Sequence, residues 1–116
     1  MVRGDTRVRA RLRAAQRLGG DAVTATVARG RSRSAGLLRM QFLRNGLPFA
    51  RIALVVPKRY AKRSVDRSRL RRVLRESFRT RQAAWNGYDC VIRLRATHER
   101  DRDFAQLSAT LFDPGP

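Results

Sequence analysis

An α+β fold, a small single-domain α/β sandwich of about αβββαβα order, is predicted by three features of this sequence. Two segments, Ala35 to Leu43 and Tyr88 to Arg95, alternate apolar and polar residues with a period of two, the mark of half-buried strands. A third, Phe49 to Val56, holds the near-continuous apolar run IALVV and reads as a central strand covered on both faces. Between the second and third of these, Leu70, Val73, Leu74 and Phe78 recur at helical spacing. The order is αβββαβα if a further short strand forms near Ser32–Gly36 or splits from the first hairpin, and αββαβα without it. At 116 residues the chain has room for one core and no second domain.

Residues 1–20 carry Arg3, Arg7, Arg9, Arg11, Arg13 and Arg17 with little apolar content, so they are expected to form a mobile basic arm that orders on a partner. The folded domain is expected over 21–116. Asp21 is placed to cap a short helix in which Val23 and Val27 share a face, and Gly30 to end it. In the first strand Leu38, Met40 and Phe42 point one way, Arg39 and Gln41 the other. Asn45-Gly46 is a hairpin signal and predicts that the Phe49–Val56 strand returns beside the first. Pro57 stops that strand, since proline has no N–H for the ladder. Arg67 to Ala84 makes a helix of about five turns, with Asp66 as its N-cap and Asn86-Gly87 as its stop. Along the last strand Tyr88, Cys90, Ile92 and Leu94 share one face, while Asp89, Val91, Arg93 and Arg95 share the other. Asp103 then caps a final helix carrying Phe104, Leu107, Ser108 and Leu111, with Gln106 at the capping-box position and Pro114 and Pro116 beyond its end.

Charge narrows the function. The net charge is +18 and arginine outnumbers lysine 25 to 2. A field of that size draws polyanions, and guanidinium groups bind phosphate bidentately and stack on bases, which suits RNA. Half of the excess lies in Lys58–Arg81, where eleven Lys/Arg meet only Asp66 and Glu76. Arg67, Arg71, Arg75 and Arg79 step by four along one side of the expected helix, with Arg72 beside them. A merely solvated face normally mixes signs, and here only Glu76 dilutes the arginines. The nine acids are scattered, Cys90 is the lone cysteine and His98 the lone histidine. No carboxylate cluster, His/Cys constellation or glycine-rich phosphate loop is present to build a catalytic or metal centre in the protein. Cys90 reads as core and His98 as a surface loop residue. No apolar run approaches the ~20 residues of a membrane span, and no secretory signal is evident, so a cytoplasmic location is expected.

The segment KRYAKRSVDRSRLRRVLRESFR resembles the signature of the bacterial ribonuclease P protein component, with nine or so positions agreeing in order and spacing. RIALVVPKR resembles the strand leading into that signature, NGYDCVIRLR the strand after it, and DAVTATVARGR the family's first helix and basic turn. Ser68 stands where the family usually has Asn, keeping a hydroxyl donor. Val23 and Val27 replace aromatic residues, and Pro57 and Ala61 replace Ser/Thr and Gly.

The resemblance implies a protein subunit whose catalyst is a partner RNA. That RNA uses bound Mg2+ to remove the 5′ leader from precursor tRNA by endonucleolytic hydrolysis. The protein would bind the catalytic RNA, in a 1:1 complex, and the leader in a cleft between the first helix and the sheet, and would strengthen functional Mg2+ binding. The resemblance also implies a left-handed βαβ crossover, where chain physics alone predicts the right-handed default. The RNA subunit is expected on Arg63, Arg67, Ser68, Arg69, Arg71, Arg72 and Arg75, with Arg67 and Arg69 open to a structural role through caps or loop carbonyls. The leader is expected on Val23, Val27, Arg29, Arg31 and Arg33, and on Phe42, Lys58, Arg59, Tyr60 and Lys62, although alternation with Leu38 and Met40 favours the core for Phe42. No catalytic or metal-ligating residue is assigned to this chain. Two other functions fit the charge: a ribosomal-protein-like RNA binder, and a self-sufficient nuclease using His98 with Asp101 or Asp103.

Overall fold

Helix α1 (Gly20–Arg29) opens the fold, followed by β1 (Arg31–Ala35), β2 (Leu38–Arg44) and β3 (Arg51–Val55). Helix α2 (Ser64–Arg81) then runs into a 3-10 turn (Gln82–Trp85), and β4 (Tyr88–Leu94) and α3 (Phe104–Phe112) complete it. This computed structural model describes residues 17–97 and 104–116. The order is the expected αβββαβα, including the additional short strand. Most of the basic arm, with His98, Asp101 and Asp103, lies outside the described residues.

The four strands lie in the order β1-β2-β4-β3. β1 and β2 form the true hairpin, closed by Gly36, whose φ of +56° suits a residue without Cβ. β4 is antiparallel to β2 and parallel to β3, so β3 and β4 are joined through α2. Two expectations fail here. Asn45-Gly46 closes no hairpin, because β4 lies between β2 and β3, and β3 is an edge strand, not a central one. Asn45 instead organises a longer loop. Its Oδ1 accepts from the Leu47 amide (2.8 Å), and its Nδ2 donates to Asp89 Oδ1 (2.9 Å) and the Phe49 carbonyl (3.2 Å). The loop thus crosses the start of β4 and delivers β3 to its far side. The doubly covered strand is β4, buried at Asp89, Cys90, Val91, Ile92 and Leu94. Leu18, at the end of the arm, donates its amide to the Ile52 carbonyl (3.0 Å) on the outer edge of β3.

One sheet face makes the main core. Leu38, Met40, Phe42, Ile52, Cys90, Ile92 and Leu94 pack there with Leu70, Leu74 and Phe78 of α2 and with Phe104, Leu111 and Phe112 of α3. Trp85, fully buried, donates Nε1–H to the Phe112 carbonyl (2.9 Å) and so ties the end of α3 to the turn after α2. The other face carries α1. Thr26 is fully buried and Val91 is 1% exposed, while Gln41 Nε2 donates to the Val27 carbonyl (2.9 Å). The chain must turn tightly between α1 and β1. A Cβ on Gly30 would sit 2.8 Å from the Phe42 carbonyl oxygen, so only glycine passes there.

Two of the expected caps move, and the third, Asp103, lies outside the described residues. α2 begins at Ser64 with Arg63 in the N-cap position, and the Arg63 carbonyl takes the amides of Asp66 and Arg67 (3.1 Å each). Asp66 therefore lies inside the first turn, where its charge opposes the positive end of the helix dipole. α1 is capped by Gly19, and Asp21 likewise falls in its first turn. Among the described residues no helix is long and apolar enough to cross a membrane.

Candidate nucleic-acid interface

Leu70, Leu74, Ser77 and Phe78 turn one stripe of α2 into the core. The helical period puts the remaining charged residues on the opposite side. Arg63, Ser68, Arg69, Arg72 and Arg75 are exposed there, and Arg71 is half-buried at the flank. Among the described residues the ion pairs are Arg51–Asp89 and Arg79–Glu76. Glu76 is therefore spent on Arg79, with Nε–Oε1 at 3.1 Å, and that hydrogen bond holds its carboxyl below the usual carboxylate range. Arg69, Arg71, Arg72 and Arg75 have no ion-pair partner among the described residues, as a phosphate-binding surface requires. Val65, 56% exposed, is the one large apolar side chain open to solvent among the described residues, and it stands at the start of this face.

Arg67 is the exception, and the structural role left open for it is the one observed. It turns back to donate to the Ala61 and Lys62 carbonyls, each at 2.9 Å. The same loop is closed from the other side by the Tyr60 and Ala61 amides on the Pro57 carbonyl (3.1 and 3.2 Å). Lys58, Arg59 and Lys62 are thereby held exposed on a fixed turn beside the N-terminus of α2. Tyr60 is half-buried against the core, and its ring is covered by the Arg59 guanidinium 4.7 Å from the centroid.

The expected leader-binding set divides. Val23 and Val27 are half-buried and Arg29 is exposed on α1. Arg31, Arg33 and Phe42 lie across the sheet from α1, because Arg31 pairs with Phe42 and Arg33 with Met40, and paired residues share a face. Phe42 is 6% exposed, edge-on to Trp85 at 5.1 Å, and offers no platform for a base. Arg33 closes the C-terminal tail. Its guanidinium donates to the Leu111 (3.2 Å), Pro114 (2.6 Å) and Gly115 (3.1 Å) carbonyls and lies 5.2 Å from the Trp85 ring centre. The sheet face that carries α1 presents instead the outward residues of β2, β4 and β3. Arg39 and Arg93 are the cations among them, paired in register. Sequence reasoning placed each on the outward face of its own strand but did not bring them together, since it set β2 beside β3.

Cys90 is fully buried beneath α2 and α3, and burial pushes its thiol above the usual range, so it is a packing residue. Among the described residues no three His, Cys, Asp or Glu side chains converge.

Comparison with known proteins fits this geometry. The family model described as Ribonuclease P matches residues 7–113. Over 62 residues the chain is 42% identical to the ribonuclease P protein component of Burkholderia pseudomallei (strain 1106a), covering 53% of this chain and 46% of that one. It is 40% identical over 65 residues to the Chromobacterium violaceum protein of the same name, covering 56% and 54%. The chain thus spans about half the length of the curated relatives it matches. Among solved structures, the RNase P protein of Thermotoga maritima in complex with 1-(4-fluorophenyl)-2-thiourea superposes with a TM-score of 0.59 at 27% identity, over 73% of this chain and 75% of that one. The Staphylococcus aureus RNase P protein shares the fold, with a TM-score of 0.70 at 18% identity over 84% and 89% of the two chains. With the matched model spanning nearly its whole length and the fold shared, the chain belongs to the ribonuclease P protein family.

Proposed function

We propose that this chain is the protein subunit of a ribonuclease P whose RNA subunit cleaves the 5′ leader from precursor tRNA. The observation that carries this reading is the outer face of α2, where Arg69, Arg71, Arg72 and Arg75 stand exposed or half-exposed with no acid partner among the described residues, within the motif that matches the family. Arginines without internal partners repel one another in the free protein and are relieved by phosphates. The exposed Lys58, Arg59 and Lys62 extend that surface toward the precursor, and Val23, Val27 and Arg29 of α1 offer a second one on the other side of the sheet.

The chemistry belongs to the RNA partner in this reading. Magnesium bound by that RNA and its substrate would supply the metal-assisted hydrolysis. Among the described residues no three carboxylate, histidine or cysteine side chains converge to cage a magnesium ion. Asp89 accepts from Arg51 (2.8 Å at each oxygen) and from Asn45, and Glu76 is engaged by Arg79. The protein's own work is to neutralise phosphates, which lets two polyanions approach and lowers the magnesium needed to screen them.

Reconstitution tests this directly. Pure protein mixed with precursor tRNA and magnesium should leave it intact. Adding a bacterial ribonuclease P RNA should give cleavage at the mature 5′ end, at lower magnesium than that RNA needs alone. Cleavage by RNA-free protein would overturn the reading in favour of a self-sufficient nuclease. RNA binding without any change in the magnesium requirement would favour a ribosomal-protein-like binder.

A further inference from the structure

We propose that the cleft between the last turn of α2 and α3 binds a small zwitterion of the free α-amino acid class. The cleft holds about 550 Å3 and is lined by Arg81 from α2, by Gln106, Ala109 and Thr110 from α3, and by Asp113 and Pro114 just beyond it. That volume lies within the range of small-molecule sites.

The charges of the cleft point to that class. Arg81 and Asp113 line the same space and form no ion pair with each other; the ion pairs among the described residues are Arg51–Asp89 and Arg79–Glu76. Opposite charges held apart on the walls of one cleft suit a ligand that carries both signs. Arg81 is half-buried, and its Nη1 donates to the Thr80 hydroxyl (3.0 Å), which anchors the side chain. A guanidinium has five N–H donors, and those left over suit a carboxylate, the planar partner it binds bidentately. Asp113 offers an acceptor-only carboxylate to the three donors of an ammonium group. Thr110 spends its hydroxyl proton on the Gln106 carbonyl (2.9 Å), which leaves the Thr110 oxygen as a second acceptor. Ala109 and Pro114 give the ligand's side chain apolar ground.

The surroundings disfavour the polyanion that the rest of the chain attracts. Residues 104–116 contain no Lys or Arg in a chain of net charge +18, and Asp113 is their one charged side chain. Arg33, which reaches this tail from β1, is spent on the Leu111, Pro114 and Gly115 carbonyls. A phosphodiester strand here would meet Asp113 as a like charge, and a polyamine would meet Arg81 in the same way. The fold also holds Asp113 from both sides. Trp85 Nε1–H bonds the Phe112 carbonyl before it (2.9 Å), and Arg33 bonds the Pro114 carbonyl after it (2.6 Å). A carboxylate fixed in this way gives up little further freedom on binding.

The test uses the full chain with L-leucine as the probe, followed by the fluorescence of Trp85, the only tryptophan, which is bonded to the residue before Asp113. L-leucine should give a saturable change. Isocaproate, which lacks the amino group, and isoamylamine, which lacks the carboxylate, should each bind about tenfold more weakly. Arg81→Met and Asp113→Asn should each lose about tenfold in affinity for L-leucine, and Arg81→Lys, which keeps the charge without the fork, should fall between wild type and Arg81→Met. Arg69→Met/Arg72→Met on the outer face of α2 should lose nothing. Each variant should keep the wild-type melting temperature, since no ion pair spans the cleft in the free protein. No saturable response to L-leucine would overturn the proposal, and an equal response to isocaproate would overturn it by reducing the cleft to an anion contact on Arg81. Unchanged affinity in Arg81→Met and Asp113→Asn would do so by placing the amino acid elsewhere on the chain. Displacement of L-leucine by a uridine decamer would overturn it in favour of a continuation of the RNA surface. None of these readouts uses the catalytic RNA, so the site and the ribonuclease P reading stand or fall separately.

Discussion

Arginine does several unlike jobs in this chain, and the acceptors around each side chain distinguish them. Arg33 gives its hydrogen bonds to the Leu111, Pro114 and Gly115 carbonyls and packs over Trp85, so it belongs to the scaffold. Arg33→Ala should therefore lower unfolding free energy by about 1–3 kcal/mol in urea titrations while leaving the preference for leader-bearing precursor unchanged. Loss of that preference with stability intact would return Arg33 to the RNA surface. Arg79 is held by Glu76, whose carboxyl the hydrogen bond from Arg79 depresses below its ordinary range. The sign follows from linkage. The pair's contribution is present above the ordinary carboxylate pKa of the unfolded chain and is lost as pH falls through the depressed folded value. An NMR titration should find Glu76 below the ordinary carboxylate range. Glu76→Gln would free Arg79, and RNA-subunit binding should then steepen with salt by about 0.7–0.9 if Arg79 meets one phosphate.

At the scale of elements, α2 divides its circumference between a buried stripe and an arginine-rich outer face. Arg71→Ala with Arg75→Ala leaves the Leu70, Leu74 and Phe78 stripe untouched. Binding to the RNA subunit should flatten by ~1–2 units of log K against log salt, measured by filter binding, with the melting temperature unchanged. An unchanged slope would make the arginines a solvated face. β4 is the other organising element. Its Asp89, 5% exposed, takes Arg51 from β3 and Asn45 from the loop, joining three segments at one carboxylate. Asp89→Ala leaves Arg51 and Asn45 without their acceptor and should cost about 3 kcal/mol, visible as a lower urea midpoint. A neutral result would mean that strand packing alone sets the β3–β4 register.

The whole molecule carries +18 charges in 116 residues. Self-repulsion of that size works against the compact state and is screened by salt. The free protein should thus melt at a higher temperature in 300 mM than in 20 mM NaCl by scanning fluorimetry, with Trp85, fully buried, as the reporter. RNA that occupies the arginine surface should raise the melting temperature further by mass action. A melting temperature insensitive to ionic strength would show the charges to be too far apart to matter.

Much of this was legible in the residues. Helical period located the buried stripe of α2, and alternation sorted both faces of β2 and β4 correctly, including Phe42, Cys90 and Val91, because periodicity is a local consequence of backbone geometry. The ordered basic motif identified the family. Strand neighbours were not legible. The Asn45-Gly46 dipeptide has the same local preference in a hairpin turn as in a loop that crosses a third strand, and β4, more than 40 residues later, makes the choice through Asp89. The roles of the arginines followed from that choice. The sequence alone determined that the chain would present a guanidinium-rich surface. Only the tertiary structure decided that Arg33 and Arg67 serve the fold, and that Arg39 and Arg93 pair in register across β2 and β4, since a residue's partners depend on segments distant in sequence that packing brings near.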